Sequence, residues 1–175
     1  MKVKILTLVL LFAGVTLFAQ DDWKTLKKDD YAINYPKDWV SSDKKPQPNM
    51  QFLLLSEEKS QRDDLFRENI NLITENLGGR DLTLQAYTKL SIDQIIAQIP
   101  SAKIISHESA KVEGREAAAI VWSADFGNSM ILKFKQIILI YNDKGYVLTF
   151  SSSEAEYDSY VQIGSRILNS FKLAK

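Results

Sequence analysis

Four long apolar-rich segments lie between Lys103 and Ser151, separated by residues that close tight turns, and no other feature constrains the fold as much. The segments are 103–112, 116–126, 130–141 and 146–151. Between them stand Glu113-Gly114, Gly127-Asn128 and the run from Asn142 to Gly145, residues that tolerate the positive φ of hairpin turns. Strand-like segments joined by short turns pair with one another, so the spacing predicts an antiparallel meander. The segment from Met130 to Tyr141 is apolar on both parities toward its C-terminal half. That is the pattern of a strand with layers on both faces, and it is expected to be central.

Upstream, Tyr31, Ile33 and Tyr35 alternate with smaller or polar residues as a half-buried strand ended by Pro36. The stretch from Ser41 to Asn49, with Pro46 and Pro48, reads as an exposed loop. Phe52 to Leu55 is a continuous apolar run, expected as a strand covered on both faces. A polar loop from Glu57 to Asp64 then leads to a strand through Ile70, Leu72 and Thr74 that ends at Gly78-Gly79. Two helices are expected. The first runs from Leu82 to Ile99 with Thr83 as N-cap, and Leu84, Tyr87, Ile92, Ile95 and Ile99 form its apolar face, while Leu90 and Ile96 fall off it. The second follows Ser153 to Glu156, which reads as a capping box. Its apolar stripe is Tyr157, Tyr160, Val161, Gly164, Ile167, Leu168 and Phe171. Gly164 lies inside that stripe, which marks a close approach between helix and sheet. The fold class is α+β: a single domain with a twisted, mostly antiparallel sheet and helices packed on it.

The first twenty residues place Lys2 and Lys4 ahead of an uncharged apolar run from Ile5 to Phe18, followed by Ala19-Gln20 and the acidic pair Asp21-Asp22. This is the layout of a secretory signal peptide cleaved near Ala19 or Gln20. The run of about 14 residues is short of the roughly 20 that span a bilayer, so no integral membrane span is expected in the mature chain. Residues 21–175 then form the domain. The sequence has no cysteine, which excludes a lipid-anchored lipoprotein and any disulfide brace, so the expected location is periplasmic or extracellular. The 22 basic and 22 acidic side chains cancel in the full chain. Removal of Lys2 and Lys4 leaves the remainder slightly acidic, and with no basic run or nucleic-acid motif, nucleic acid is excluded as a partner.

Little in the sequence suggests catalysis. His107 is the only histidine, no Gly-x-Ser-x-Gly elbow is present, and a zinc site would lack a second histidine or a cysteine. Asp21, Asp22, Asp29, Asp30, Asp63 and Asp64 do not follow the spacing of a calcium loop. Gly78-Gly79-Arg80 precedes a helix but matches no phosphate-binding motif and reads as a turn. No catalytic, metal or cofactor-binding residue is assigned. Arg67, Asn69 and Asn71 share one strand face and form the polar cluster least easy to dismiss. They read first as a structural network bridging strand and loop, since buried asparagines must satisfy their amides, and they are the candidate ligand-binding residues.

The order of features from Tyr31-Ala-Ile-Asn-Tyr-Pro to Trp39, through Glu68-Asn-Ile-Asn71, the helix from Leu82 to Ile99 and the Gly114 hairpin, to Ile167-Leu-Asn-Ser-Phe171 resembles the PsbP/DcrB-like family. The resemblance implies an α/β/α sandwich around an antiparallel sheet, in members that are mostly non-catalytic accessory proteins. Plant and cyanobacterial members attach to photosystem II on its lumenal side, and bacterial periplasmic members affect envelope processes including phage uptake. It carries over no site residue: the lipid-modified cysteine of the lipoprotein members is absent, and His107 does not reproduce a histidine-containing metal site.

The expected function is therefore that of a secreted bacterial accessory module, not an enzyme, which binds an envelope or secreted protein and displays an exposed apolar patch. The alternatives are a small-ligand or metal-ion binding protein with a pocket between sheet and helix, and a carboxylate- or metal-dependent hydrolase.

Overall fold

The computed structural model describes residues 22–62 and 66–174; the signal segment, Asp21 and the Asp63-Asp64 pair lie outside the described residues. In chain order the elements are β1 (Trp23–Lys27), β2 (Tyr31–Pro36), β3 (Val40–Ser41), β4 (Met50–Leu55), β5 (Asn69–Asn76), α1 (Leu84–Gln98), β6 (Lys103–Val112), β7 (Arg115–Asp125), β8 (Ile131–Tyr141), β9 (Lys144–Ser153), α2 (Tyr157–Asn169) and β10 (Lys172–Leu173). A 3-10 turn, Glu58–Arg62, follows β4.

Seven strands form one antiparallel sheet in the order β3-β4-β5-β9-β8-β7-β6. The meander is present, with β6 at an edge. β9 holds the middle, and β8 lies beside it. The turn from β8 to β9 consists of two residues, Asn142 and Asp143, with φ of 49° and 58°. That is the left-handed pair that matches the twist of a two-residue hairpin. Gly145 lies within β9 and serves a different purpose: its missing Cβ makes room for the Tyr87 ring of α1.

The other three strands make a separate small sheet, β1-β2-β10. The alternation of Tyr31, Ile33 and Tyr35 does bury one face of β2, but in this second sheet rather than the main one. Ser170 links it to the end of α2, because its Oγ accepts from Asn34 N at 2.9 Å and donates to Ile167 O at 2.7 Å.

The main sheet has a core on each face. On one, α2 and β2 cover Phe52, Leu54, Ile70, Leu72, Leu148 and Phe150, joined by Ile167, Leu168 and Phe171. On the other, α1 covers Ile120, Trp122, Phe134 and Ile138. α1 begins where its residues dictate, with Thr83 Oγ1 accepting from Ala86 N at 3.1 Å. Its hold on the sheet is weak. Only Tyr87 and Thr88 are buried in it, and Leu90 and Ile96 are exposed. α2 starts one turn later than a capping box at Ser153 predicts. Ser153 belongs to β9, and although its Oγ accepts from Glu156 N at 3.4 Å, the helix begins at Tyr157.

Since α1 packs over β7 and β8, it leaves the β4–β5 side of its face open. Leu53 and Leu55 are consequently only half-buried, while Phe52 and Leu54, facing α2, are sealed. β4 is thus fully covered on one face and only partly on the other, which corrects the expectation from its continuous apolar run.

Candidate functional site

The open part of the α1 face is a groove of about 680 Å³ between α1 and strands β5, β9, β8 and β7. Register places its floor. Asn71 pairs with Thr149, and Thr149 with Gln136, so three polar side chains stand in a row across adjacent strands. The next row holds Asn69, Ser151, Phe134 and Trp122. Trp122 and Phe134 stack with ring centroids 3.9 Å apart, and Phe126 meets Phe134 edge-on at 6.1 Å.

The polar row is incompletely satisfied. Gln136 Nε2 donates to Thr149 Oγ1 at 3.1 Å, but Gln136 Oε1, Asn71 Oδ1 and Trp122 Nε1 are shielded from solvent and have no hydrogen-bond partner. Each such group costs about 1–3 kcal/mol when left unpaired. Gln136 and Trp122 are only 9% and 5% exposed. At the rim, Glu75 is already engaged: Tyr87 Oη donates to it at 3.3 Å and Arg80 Nη2 pairs with it at 3.3 Å. Burial together with the Glu75 charge pushes the Tyr87 phenol up to about 12.

Of the three residues singled out in the sequence, Asn71 lines this groove. Asn69 shares its strand face, but its Nδ2 donates to Arg67 O at 3.1 Å. Arg67 turns back to β4, its Nε donating to Ser56 O at 2.6 Å. Gln136, Thr149 and Trp122 were not singled out. The signal for Gln136 was its place as a lone uncharged polar residue among Phe134, Ile137 and Ile138 in a strand with both faces covered.

Two further clusters stand out. Glu68, wholly buried, accepts from Ser152 Oγ at 3.3 Å and from Ser56 Oγ at 3.5 Å, and Ser56 is bonded to Ser60 at 2.8 Å. At the tip of the β7–β8 hairpin, Phe126, Met130 and Ile131 are 43%, 38% and 39% exposed. This tip is well tied. Met130 N donates to Gly127 O, Phe126 N to Met130 O and Gly127 N to Asp125 Oδ1, all within 2.9 Å. Gly127, Asn128 and Ser129 all hold positive φ, a strained run for the two non-glycine residues. Phe66, Met130 and Ile131 border a cavity of about 570 Å³ beside it. His107 is exposed on β6. Among the described residues no three His, Cys, Asp or Glu side chains converge to hold a metal ion, and no helix is long and apolar enough to cross a membrane.

This two-core arrangement is an α+β fold that recurs in known structures. The chain belongs to the family described as PsbP-like protein, whose model matches residues 18–173. Cyanobacterial PsbP (CyanoP) from Synechocystis sp. PCC 6803 is similar over 92% of this chain and 96% of its own, with 16% identity and a TM-score of 0.66. LpqN, involved in cell envelope biogenesis of Mycobacterium tuberculosis, is similar over 88% and 91%, with 11% identity and a TM-score of 0.61. The Ran-binding protein Mog1p of Saccharomyces cerevisiae is similar over 87% and 95%, with 7% identity and a TM-score of 0.60. At these identities the likeness is one of fold. None of the curated proteins matches the chain significantly.

Proposed function

We propose that this PsbP-like protein is a non-catalytic accessory module of the bacterial cell envelope, exported by its N-terminal signal, which docks on another envelope protein through the tip of the β7–β8 hairpin. The observation that carries this reading is the exposure of Phe126, Met130 and Ile131 on a tip held rigid by backbone bonds. Apolar side chains grouped on a fixed, strained turn lose little entropy on docking, and such groups mark interaction surfaces. Asp125 and Glu154, both exposed beside the tip, favour a partner whose apolar surface is edged by basic groups. Membership of the PsbP-like family and the involvement of LpqN in cell envelope biogenesis are consistent with this reading.

Photo-crosslinking in the native envelope tests it. A photoreactive residue in place of Met130 is expected to give one discrete adduct, and the same residue in place of Lys111, exposed on the distant edge strand, none. Ile131→Asp should abolish the adduct while leaving thermal stability unchanged. Equal labelling from both positions, or none from Met130, refutes docking at the tip.

A further inference from the structure

We propose that the groove between α1 and the main sheet is a binding site for a short, uncharged, extended peptide, a function distinct from docking at the hairpin tip, although Phe126 borders both. The proposal starts from the three unpartnered atoms. Asn71 Oδ1 and Gln136 Oε1 are acceptors and Trp122 Nε1 is a donor, all shielded and all on residues that line one groove. A peptide group brings both an N–H and a C=O, so a short run of them matches a wall offering two acceptors and one donor.

Size agrees. Asn71 and Gln136 stand on strands separated by one other, β9, hence about 10 Å apart at ordinary strand spacing, the length of about three extended residues. Charge agrees as well. The polar floor is made of amides, hydroxyls and an indole, and the carboxylate at the rim, Glu75, is held by Tyr87 and Arg80. A charged ligand would be desolvated there without a counter-ion. Ile73 and Val147, paired in the row next to the amides, supply apolar wall beside them, which suits apolar side chains better than a ring of hydroxyls. The ligand reaches the shielded atoms past the long exposed side chains of Gln94 and Gln98 at the rim.

The test is a titration of the 15N-labelled protein with acetyl-Val-Gly-Val-amide, followed by NMR. The Trp122 indole N–H and the Asn71 and Gln136 carboxamide signals are expected to shift, while the indole signals of Trp23 and Trp39 stay in place. Asn71→Leu and Gln136→Leu should each weaken binding about tenfold, the effect of one neutral hydrogen bond. Asn71→Leu should melt at or above the temperature of the unaltered protein, because it removes an unpaired buried acceptor. Gln136→Leu also loses the hydrogen bond to Thr149 Oγ1 and should melt close to that temperature. The same tripeptide with free, charged ends should bind more weakly. Four outcomes overturn the proposal: no shift in the unaltered protein, unchanged affinity in the variants, equal binding of the charged peptide, or glucose shifting these signals where the peptide does not. The titration of the unaltered protein decides even if a variant fails to fold.

Discussion

The ring of Phe150 in β9 occupies the space that a Cβ on Gly164 of α2 would need, with ring carbons 2.7 Å from that position. Contact this close lets α2 lie directly on the sheet, and it explains why a residue unfavourable to helices sits mid-helix. Gly164→Ala gains helix propensity of about 1 kcal/mol but forces ring and helix apart. A net loss of about 1–3 kcal/mol is expected by denaturant unfolding. Adding Phe150→Leu should recover part of it, and strictly additive effects would show that the contact is not the cause.

Glu68 is held beneath α2 by serine hydroxyls rather than exposed at a site. Glu68→Gln keeps its shape and one acceptor oxygen, and its amide N–H can donate to the other serine hydroxyl, so it should cost less than about 1 kcal/mol. Glu68→Ala strands the hydroxyls of Ser56 and Ser152 and opens a void, and is expected to cost about 1–3 kcal/mol more. Equal effects of the two substitutions would remove the polar network from the account.

Burial, aided by the neighbouring Asp30 and Glu75 charges, raises the phenols of Tyr31 and Tyr87 from 10 to about 12. Burial also raises Tyr146, Tyr157 and Tyr160. A raised pKa in an acid means the folded state favours the neutral phenol. Its contribution is complete below pH 10 and is lost as pH climbs from about 10 through 12. The melting temperature should hold steady up to about pH 10 and then fall steeply, with tyrosinate absorbance rising alongside. Tyr87→Phe should soften the fall, and a flat profile across this window would contradict the burial argument.

Thr83 caps α1, a helix with only two buried residues, so local terms weigh more there than in α2. Thr83→Ala is expected to cost about 1 kcal/mol and to raise amide exchange in the first turn, whereas Thr83→Ser should be nearly neutral. If exchange in the first turn is unchanged by Thr83→Ala, the cap is not what holds that end.

The meander was legible because its signals are local. Strands β6 to β9 lie within two residues of the segments read from apolar runs and turns, since a two-residue turn demands positive φ wherever it occurs. α1 was legible from Thr83 and its spacing, and Gly164 from its position inside an apolar stripe. The short strands β1, β3 and β10 were not. A strand of two residues, such as β3 or β10, has no period to read, and β1, with only Trp23 and Leu26 half-buried, carries little apolar pattern. Alternation in Tyr31, Ile33 and Tyr35 showed that β2 buries a face, but not that it does so in a second sheet.

The candidate sites divide in the same way. Sequence alone marked Asn71, with Arg67 and Asn69, as a polar cluster on one strand face, and it determined the elements, their turns and the glycine on which α2 rests. Only the tertiary structure decided that α1 sits toward β7 and β8, leaving the amides of Asn71 and Gln136 beside the indole of Trp122 under an open groove. It likewise decided that Phe126, Met130 and Ile131 are left exposed at the hairpin tip. Turn chemistry and periodicity act over a few residues and are written into them. Whether a neighbouring layer reaches a given side chain depends on residues far apart in the chain, such as Asn71 and Gln136, that meet only once strands have paired and helices have docked.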